Sequence, residues 1–264
     1  MKIRVAWTQL ASIVLLLLTT GPAAQGQSQK LFGMWSDNNS LLGLFCFGSC
    51  TDAGIERLNK LLDDPANDAR SFEDITAEAQ NFERETYIKP KLIGDARKKF
   101  PMNPLEDPSY LQCVPWGFAH QIFAPHQLEI TQRDNSRIEM RYGEWDARRT
   151  VFLNSEKAPR NPRASLLGIS VGHWEGEALV IETSGITANI VRGTTHSDQL
   201  RVLERYTRSQ DGKTLQLTAT LEDPVSFSEP IVLKKVWSWS PQSKIYPYTD
   251  CERPTGALKG AKPQ

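Results

Sequence analysis

The sequence of 264 residues carries no cofactor signature. It has no Gly-x-Gly-x-x-Gly opening a helix, no phosphate-binding loop and no haem-attachment motif, so no cofactor is expected. A βαβ alternation is missing too, which argues against a nucleotide-binding parallel sheet. Neither sign of charge dominates: 31 Lys and Arg balance 31 Asp and Glu, so nothing favours nucleic acid or an anionic membrane as a partner. Histidine is scarce, four in all, and His120 and His126 have no acid nearby in a ligand pattern, so no metal is expected. The apolar run Ile13 to Leu18 falls well short of the roughly 20 residues that cross a bilayer, so a cleaved signal is expected rather than a membrane anchor.

What the N-terminus does contain reads as an export signal. Lys2 and Arg4 form a basic start, the apolar run follows, and Gly21, Pro22, Ala23 and Ala24 break it. Ala24-Gln25-Gly26 supplies the small-x-small cleavage pattern, so residues 1–26 are expected to be removed and the product to be periplasmic or secreted. No cysteine stands at that site, which speaks against a lipoprotein. Losing Lys2 and Arg4 leaves 29 basic against 31 acidic residues in a chain of 238, enough for one large domain or one with a smaller attachment.

Four cysteines remain, Cys46, Cys50, Cys113 and Cys251. An even number in an exported chain reads first as two disulfides, with three possible pairings. The preferred pairing joins Cys46 to Cys50 and Cys113 to Cys251; a metal site is the lesser alternative, because no second close pair follows.

Residues 27–109 read as an irregular and helical N-terminal segment. Residues 27–52 show no regular pattern. Asp52 can cap a helix with Ile55, Leu58, Leu61 and Leu62 on one face, stopped by Pro65. Ser71 with Asp74 resembles a capping box opening a second helix through Phe72, Ile75, Ala79 and Phe82. Residues 95–109 look like a connector. From Gln127 the apolar period changes from 3.6 to 2. Turns at Asp134-Asn135-Ser136, Glu175-Gly176 and Asp211-Gly212 separate alternating runs, the cleanest being Leu215 to Leu221. Seven or eight strands are expected, so the fold class is mainly β: an antiparallel meander over 110–252, closing into a barrel or stacking as a sandwich. Residues 253–264 are read as a flexible tail.

Several segments of this region go together. They are Cys113-Val114-Pro115-Trp116-Gly117, Gly168 to Gly176 as Gly-x-Ser-x-Gly-x-Trp-Glu-Gly, His196-Ser197-Asp198, Glu222-Asp223-Pro224 and Tyr246 to Glu252. Over Tyr110 to Glu252 the chain resembles a large group of uncharacterised secreted bacterial proteins. The resemblance implies export and a β-fold and carries no activity. The chain departs from the group at Glu177-Ala178, where Asp followed by Thr or Ser is usual.

Candidate sites follow from residue chemistry. Gly168-Ile169-Ser170-Val171-Gly172 spells the serine-hydrolase elbow, but a strand and turn follow where the elbow needs a helix, so it reads as a strand bend. His196 and Asp198 share a polar loop and could form a tuned base. Glu204 and Arg205 interrupt an apolar strand on opposite faces, so one charge must point inward and needs a partner. These four are the candidate catalytic residues. His173, Trp174, Glu175 and Tyr206 are the candidate ligand contacts. Two functions are therefore expected: a binder of a small, partly apolar ligand in or on the β-domain, or a cofactor-independent acid–base enzyme of the lyase, isomerase or hydrolase kind.

Overall fold

The computed structural model describes residues 29–37, 51–101 and 115–247, apart from 125, 144, 160–162 and 192–193. Residues 1–26, where an export signal is expected, all four cysteines with their expected pairing, and residues 253–264 lie outside the described residues.

Alternating apolar residues build the strands. In β9 (Arg201–Arg208), β10 (Thr214–Glu222) and β11 (Ile231–Trp239) every second side chain is buried, as a sheet with one face on a core requires. With β1 (Gly33–Asp37), β2 (Leu128–Asp134), β3 (Arg137–Tyr142), β4 (Arg148–Phe152), β5 (Ile169–Glu175) and β6 (Ala178–Ser184) they form a closed barrel of nine strands. Its order is β1-β11-β10-β9-β6-β5-β4-β3-β2, and closure leaves no free edge at either end of the sheet. A small hairpin, β7 (Asn189–Val191) with β8 (Thr194–His196), stands apart between β6 and β9 in sequence. The sandwich alternative is excluded.

Nine strands impose one further feature. A ring with an odd number of members cannot alternate direction all the way round, so at least one neighbouring pair must run parallel. That pair is β4–β5, joined only at Val151–Ser170 and Phe152–Val171. Every other barrel pair is antiparallel.

Three local expectations are corrected. Residues 33–37 are a strand: β1 closes the barrel, with Trp35 opposite both Trp239 of β11 and Leu128 of β2. Five residues beginning with glycine are too few to show an alternation. Within the expected connector, α3 (Gly94–Lys98) is a short helix whose Ala96 joins the barrel core. The first long helix, α1 (Asp52–Leu62), is capped by Thr51, whose Oγ1 accepts from Gly54 N, one residue earlier than expected. For α2 (Phe72–Glu83) the expected cap holds: Ser71 Oγ accepts from Asp74 N at 3.1 Å.

These two helices share a small core of Leu58, Leu61, Ile75 and Ala79. Buried Glu83 ties the pair by accepting from Thr51 N at 2.6 Å. The main core fills the barrel with Trp35, Tyr206, Trp237 and Met140, and with Phe118 and Ile122 of α4 (Phe118–Phe123).

Candidate functional site

The barrel interior is not wholly apolar. Glu204 on β9 points inward and is fully buried, opposite Ala219 on β10 and Ile181 on β6. Its carboxylate meets Arg149 of β4 through two hydrogen bonds, Nη1 to Oε2 at 2.6 Å and Nη2 to Oε1 at 3.1 Å. Tyr206 donates to Oε1 at 2.7 Å. A carboxylate can only accept, so Thr183 Oγ1 donates to Oε2 at 3.4 Å and Ser170 Oγ donates in turn to Thr183 at 2.9 Å. Burial raises the Tyr206 hydroxyl well above its ordinary range, and the Glu204 charge adds to that. Burial likewise pushes Tyr142, in the same cluster, up to about 12. Both phenols are therefore neutral at any physiological pH. Burial opposes the charge on Arg149, but the Glu204 carboxylate outweighs it and raises the guanidinium pKa. Arg149 therefore stays charged beside Glu204.

The short β4–β5 pairing opens a cleft at the seam. Before Val151 and Ser170 come together, the two strands are parted by a space of about 520 Å³. Its walls include Trp116, Trp145, Phe152, Leu166, Leu167 and Ile169, and Arg149 reaches it from the barrel side. Trp116 is steadied by stacking on His120 at 3.9 Å between ring centroids. Phe118 N donates to Leu166 O at 2.8 Å and so fixes α4 to the far wall, while the Phe118 ring lies 5.0 Å from the Arg149 guanidinium carbon. On the near wall, Trp145 and Asp146 sit at φ of 57° and 47°, the left-handed region that side chains other than glycine rarely adopt. Arg141 Nε and Arg148 Nη2 hold the Asp146 carboxylate and with it this turn. Among the described residues, Trp145 Nε1 and Arg149 Nε are buried without a hydrogen-bond partner.

The residues expected from sequence separate into three places. Glu204 and Tyr206 belong to the internal cluster. Arg205 points outward and pairs with Glu175 at 2.6 Å; Glu175 also meets His173 at 3.1 Å, and all three side chains are about half exposed. The Arg205 and His173 hydrogen bonds hold the Glu175 carboxyl below its ordinary range. Trp174 is half-buried, edge-on to Phe32 at 6.3 Å. His196 and Asp198 part company. His196 ends β8, is 3 % exposed and lines a cleft with Asn189 and Lys99, whereas Asp198 is exposed and lines a different cleft with Arg201 and Glu222. The carboxylate facing the His196 loop is instead Asp223, which accepts from Ser197 N, Ser197 Oγ and Val225 N. Burial alone would raise its pKa, but these hydrogen bonds outweigh burial and hold it below the ordinary value. The four expected catalytic residues thus share no single pocket. Arg149, Trp145 and the seam were not foreseen.

His196 makes a pH prediction. Its Nδ1 donates to Ser197 O at 2.9 Å, which leaves Nε2 as the unprotonated nitrogen, and burial lowers its pKa from the ordinary 6.5. As pH falls through 6.5, the unfolded chain takes the proton before the folded one does. Stability is therefore expected to drop below that pH until the folded pKa is reached. His196→Gln should flatten this part of a denaturation-midpoint against pH curve while leaving the steeper carboxylate region below it. An unchanged slope in the variant would assign the loss to other groups.

Compared with protein families, curated proteins and solved structures, the chain has no match.

Proposed function

We propose that the protein is an exported binder of a small, largely apolar molecule, held in the seam cleft between β4 and β5. The carrying observation is the make-up of that cleft: aromatic and aliphatic walls around about 520 Å³, with Arg148, Arg149, Thr150 and Ser165 as the polar residues among them. Small-molecule sites are typically ~300–1,000 Å³, mostly apolar, with a few placed polar groups. At the centre of the barrel, Trp35, Tyr206 and Trp237 are at most 1 % exposed and belong to the packed core. Left-handed Trp145 adds support, since backbone strain gathers at ligand clamps.

Protein purified from its native host tests the reading by native mass spectrometry. A bound small-molecule mass is expected on the wild type and absent from Leu166→Arg, which places a charge in the cleft wall, with both proteins equally folded by circular dichroism. A wild type without bound mass, or a variant that keeps it, would overturn the assignment. Export is tested separately by fusing residues 1–30 to a reporter active only outside the cytoplasm; an uncleaved cytoplasmic product ends that part. The likeness to uncharacterised secreted bacterial proteins supports export and adds no activity.

The acid–base alternative keeps one favourable observation, the neutral His196 imidazole in a cleft. It lacks a second acid or base from the expected set beside it, so binding is preferred.

A further inference from the structure

We propose that the ligand of the seam cleft is a short, extended, largely apolar peptide that adds as a strand to a bare stretch of β4; this rests on the ligand-binding reading of the cleft.

The hydrogen-bond ladder shows which backbone groups are bare. In an antiparallel pair, residues whose N–H and C=O face the partner strand alternate with residues whose groups face away from it. Tyr142 N donates to Ala147 O at 2.9 Å and Leu153 N donates to Ser136 O at 2.7 Å. Both bonds fall in the register that sets Met140 opposite Arg149 and Ile138 opposite Val151. Counted by twos from either end, Ala147, Arg149, Val151 and Leu153 face β3, and Arg148, Thr150 and Phe152 turn their backbone groups towards β5. The parallel pairing of Val151 with Ser170 and of Phe152 with Val171 engages the Thr150 C=O and both groups of Phe152. Arg148 N–H, Arg148 C=O and Thr150 N–H are left over, with no hydrogen bond to any of them among the described residues.

The cleft lies where a longer partner strand would run. Arg148 and Thr150 line it and are exposed residues, so solvent reaches this edge while the cleft is empty. The far wall does not take up the bare groups. Leu166 O accepts from Phe118 N at 2.8 Å, and Gly168 N turns back to Ser165 O at 3.3 Å. A purely apolar ligand would strip water from the edge and give nothing in return. The edge calls for one N–H, to meet the Arg148 C=O, and two C=O groups, at the spacing of a strand. An extended peptide of about three residues carries all of them. Its side chains would meet the apolar walls formed by Trp116, Phe152, Leu166 and Leu167. Charge favours a neutral peptide. Arg149 is already bound twice by Glu204, and Arg148 lies 3.4 Å from Asp146 and 3.5 Å from Glu139, so neither cation is left to match an acid.

Calorimetric titration with acetyl-Leu-Val-Leu-amide tests the strand, with 2-ethylnaphthalene as an apolar probe that has no amide. Each amide nitrogen of the peptide is methylated in turn. Only alternate N–H groups of an added strand face its partner, so methylation should weaken binding at least about tenfold at alternate positions and less than about threefold between them. Thr150→Pro removes one bare N–H and no bond of the β3 ladder, so the fold should survive. That variant should bind the peptide about tenfold more weakly and 2-ethylnaphthalene within about threefold of the wild type. Should it fail to fold, the methylated series on the wild type decides alone. Methylation that weakens binding evenly or not at all would overturn strand addition, as would full peptide affinity in a folded Thr150→Pro. Binding of 2-ethylnaphthalene without the peptide would overturn it too, while leaving the apolar cleft in place. If neither probe binds the wild type, the ligand-binding reading of the cleft falls and the strand with it.

Discussion

Replacing Glu204 with alanine is expected to lower the stability of the fold by about 3–5 kcal/mol, read from chemical denaturation near neutral pH. The loss comes from what remains behind. Without Glu204, the Arg149 guanidinium stays buried in the barrel with Met140 Sδ and the Phe118 ring as neighbours and no carboxylate to meet it. The Tyr206 hydroxyl loses its acceptor in the same step. Because the penalty belongs to the orphaned charge, removing both charges should restore most of the stability: Arg149→Met with Glu204→Leu is expected to approach the wild type. Arg205→Ala is the matched control. Its partner Glu175 lies on the solvent side, and such exposed pairs contribute little, so the midpoint should not move measurably. Should Glu204→Ala prove neutral, water must reach the barrel interior and the Arg149 charge is not left stranded there.

Gly33→Ala is expected to cost about 2–4 kcal/mol, a large effect for one methyl group. Gly33 opens β1 at φ 125°, and a Cβ there would lie 2.4 Å from the ring of Trp239. That ring has nowhere to retreat. It is packed against Trp35 at 4.9 Å, and the Arg208 guanidinium covers it at 4.4 Å, itself pinned by bonds to Gly212 O and Lys30 O. Gly176 offers the comparison, since it also has positive φ, 61°, but an added Cβ meets nothing within 4 Å. Gly176→Ala should therefore show only the backbone strain of about 1–2 kcal/mol. Parallel thermal melts of the two variants would show the difference; equal losses would mean that the tryptophan pair yields.

Part of this architecture is legible in the residues. The period-2 runs mark most of the barrel strands, and Asp211-Gly212 fixes the pairing of β9 with β10. Alternation also shows that either Glu204 or Arg205 must face inward. Which one does follows only from register: Leu217 and Ala219, on the apolar face of β10, stand opposite Tyr206 and Glu204. Arg149 could not be read as buried, because its partner lies 55 residues away in sequence and its neighbour Arg148 is half exposed. The seam cleft draws on separate segments around Trp116, Trp145, Phe152 and Leu166, so no local pattern announces it. His196 and Asp198 misled for a different reason. They read as sharing one polar loop, but His196 is the last residue of β8 while Asp198 belongs to the turn beyond it, and the two face different clefts.

The place of β1 in the ring has a consequence for how the chain is made. Trp35 is among the earliest residues of the barrel to leave the ribosome, yet one of its two partners, Trp239, is almost the last. Throughout that interval β2 can already pair with β1 on one side and β3 on the other, but the other side of β1 waits for β11. Pairings so distant in sequence form slowly, and an open strand edge invites pairing with a neighbouring chain. A nascent chain halted anywhere before Trp239 is therefore a sheet with two raw margins. Only once β11 has been made can the ring seal itself, and until then the molecule is open to pairing with its own copies.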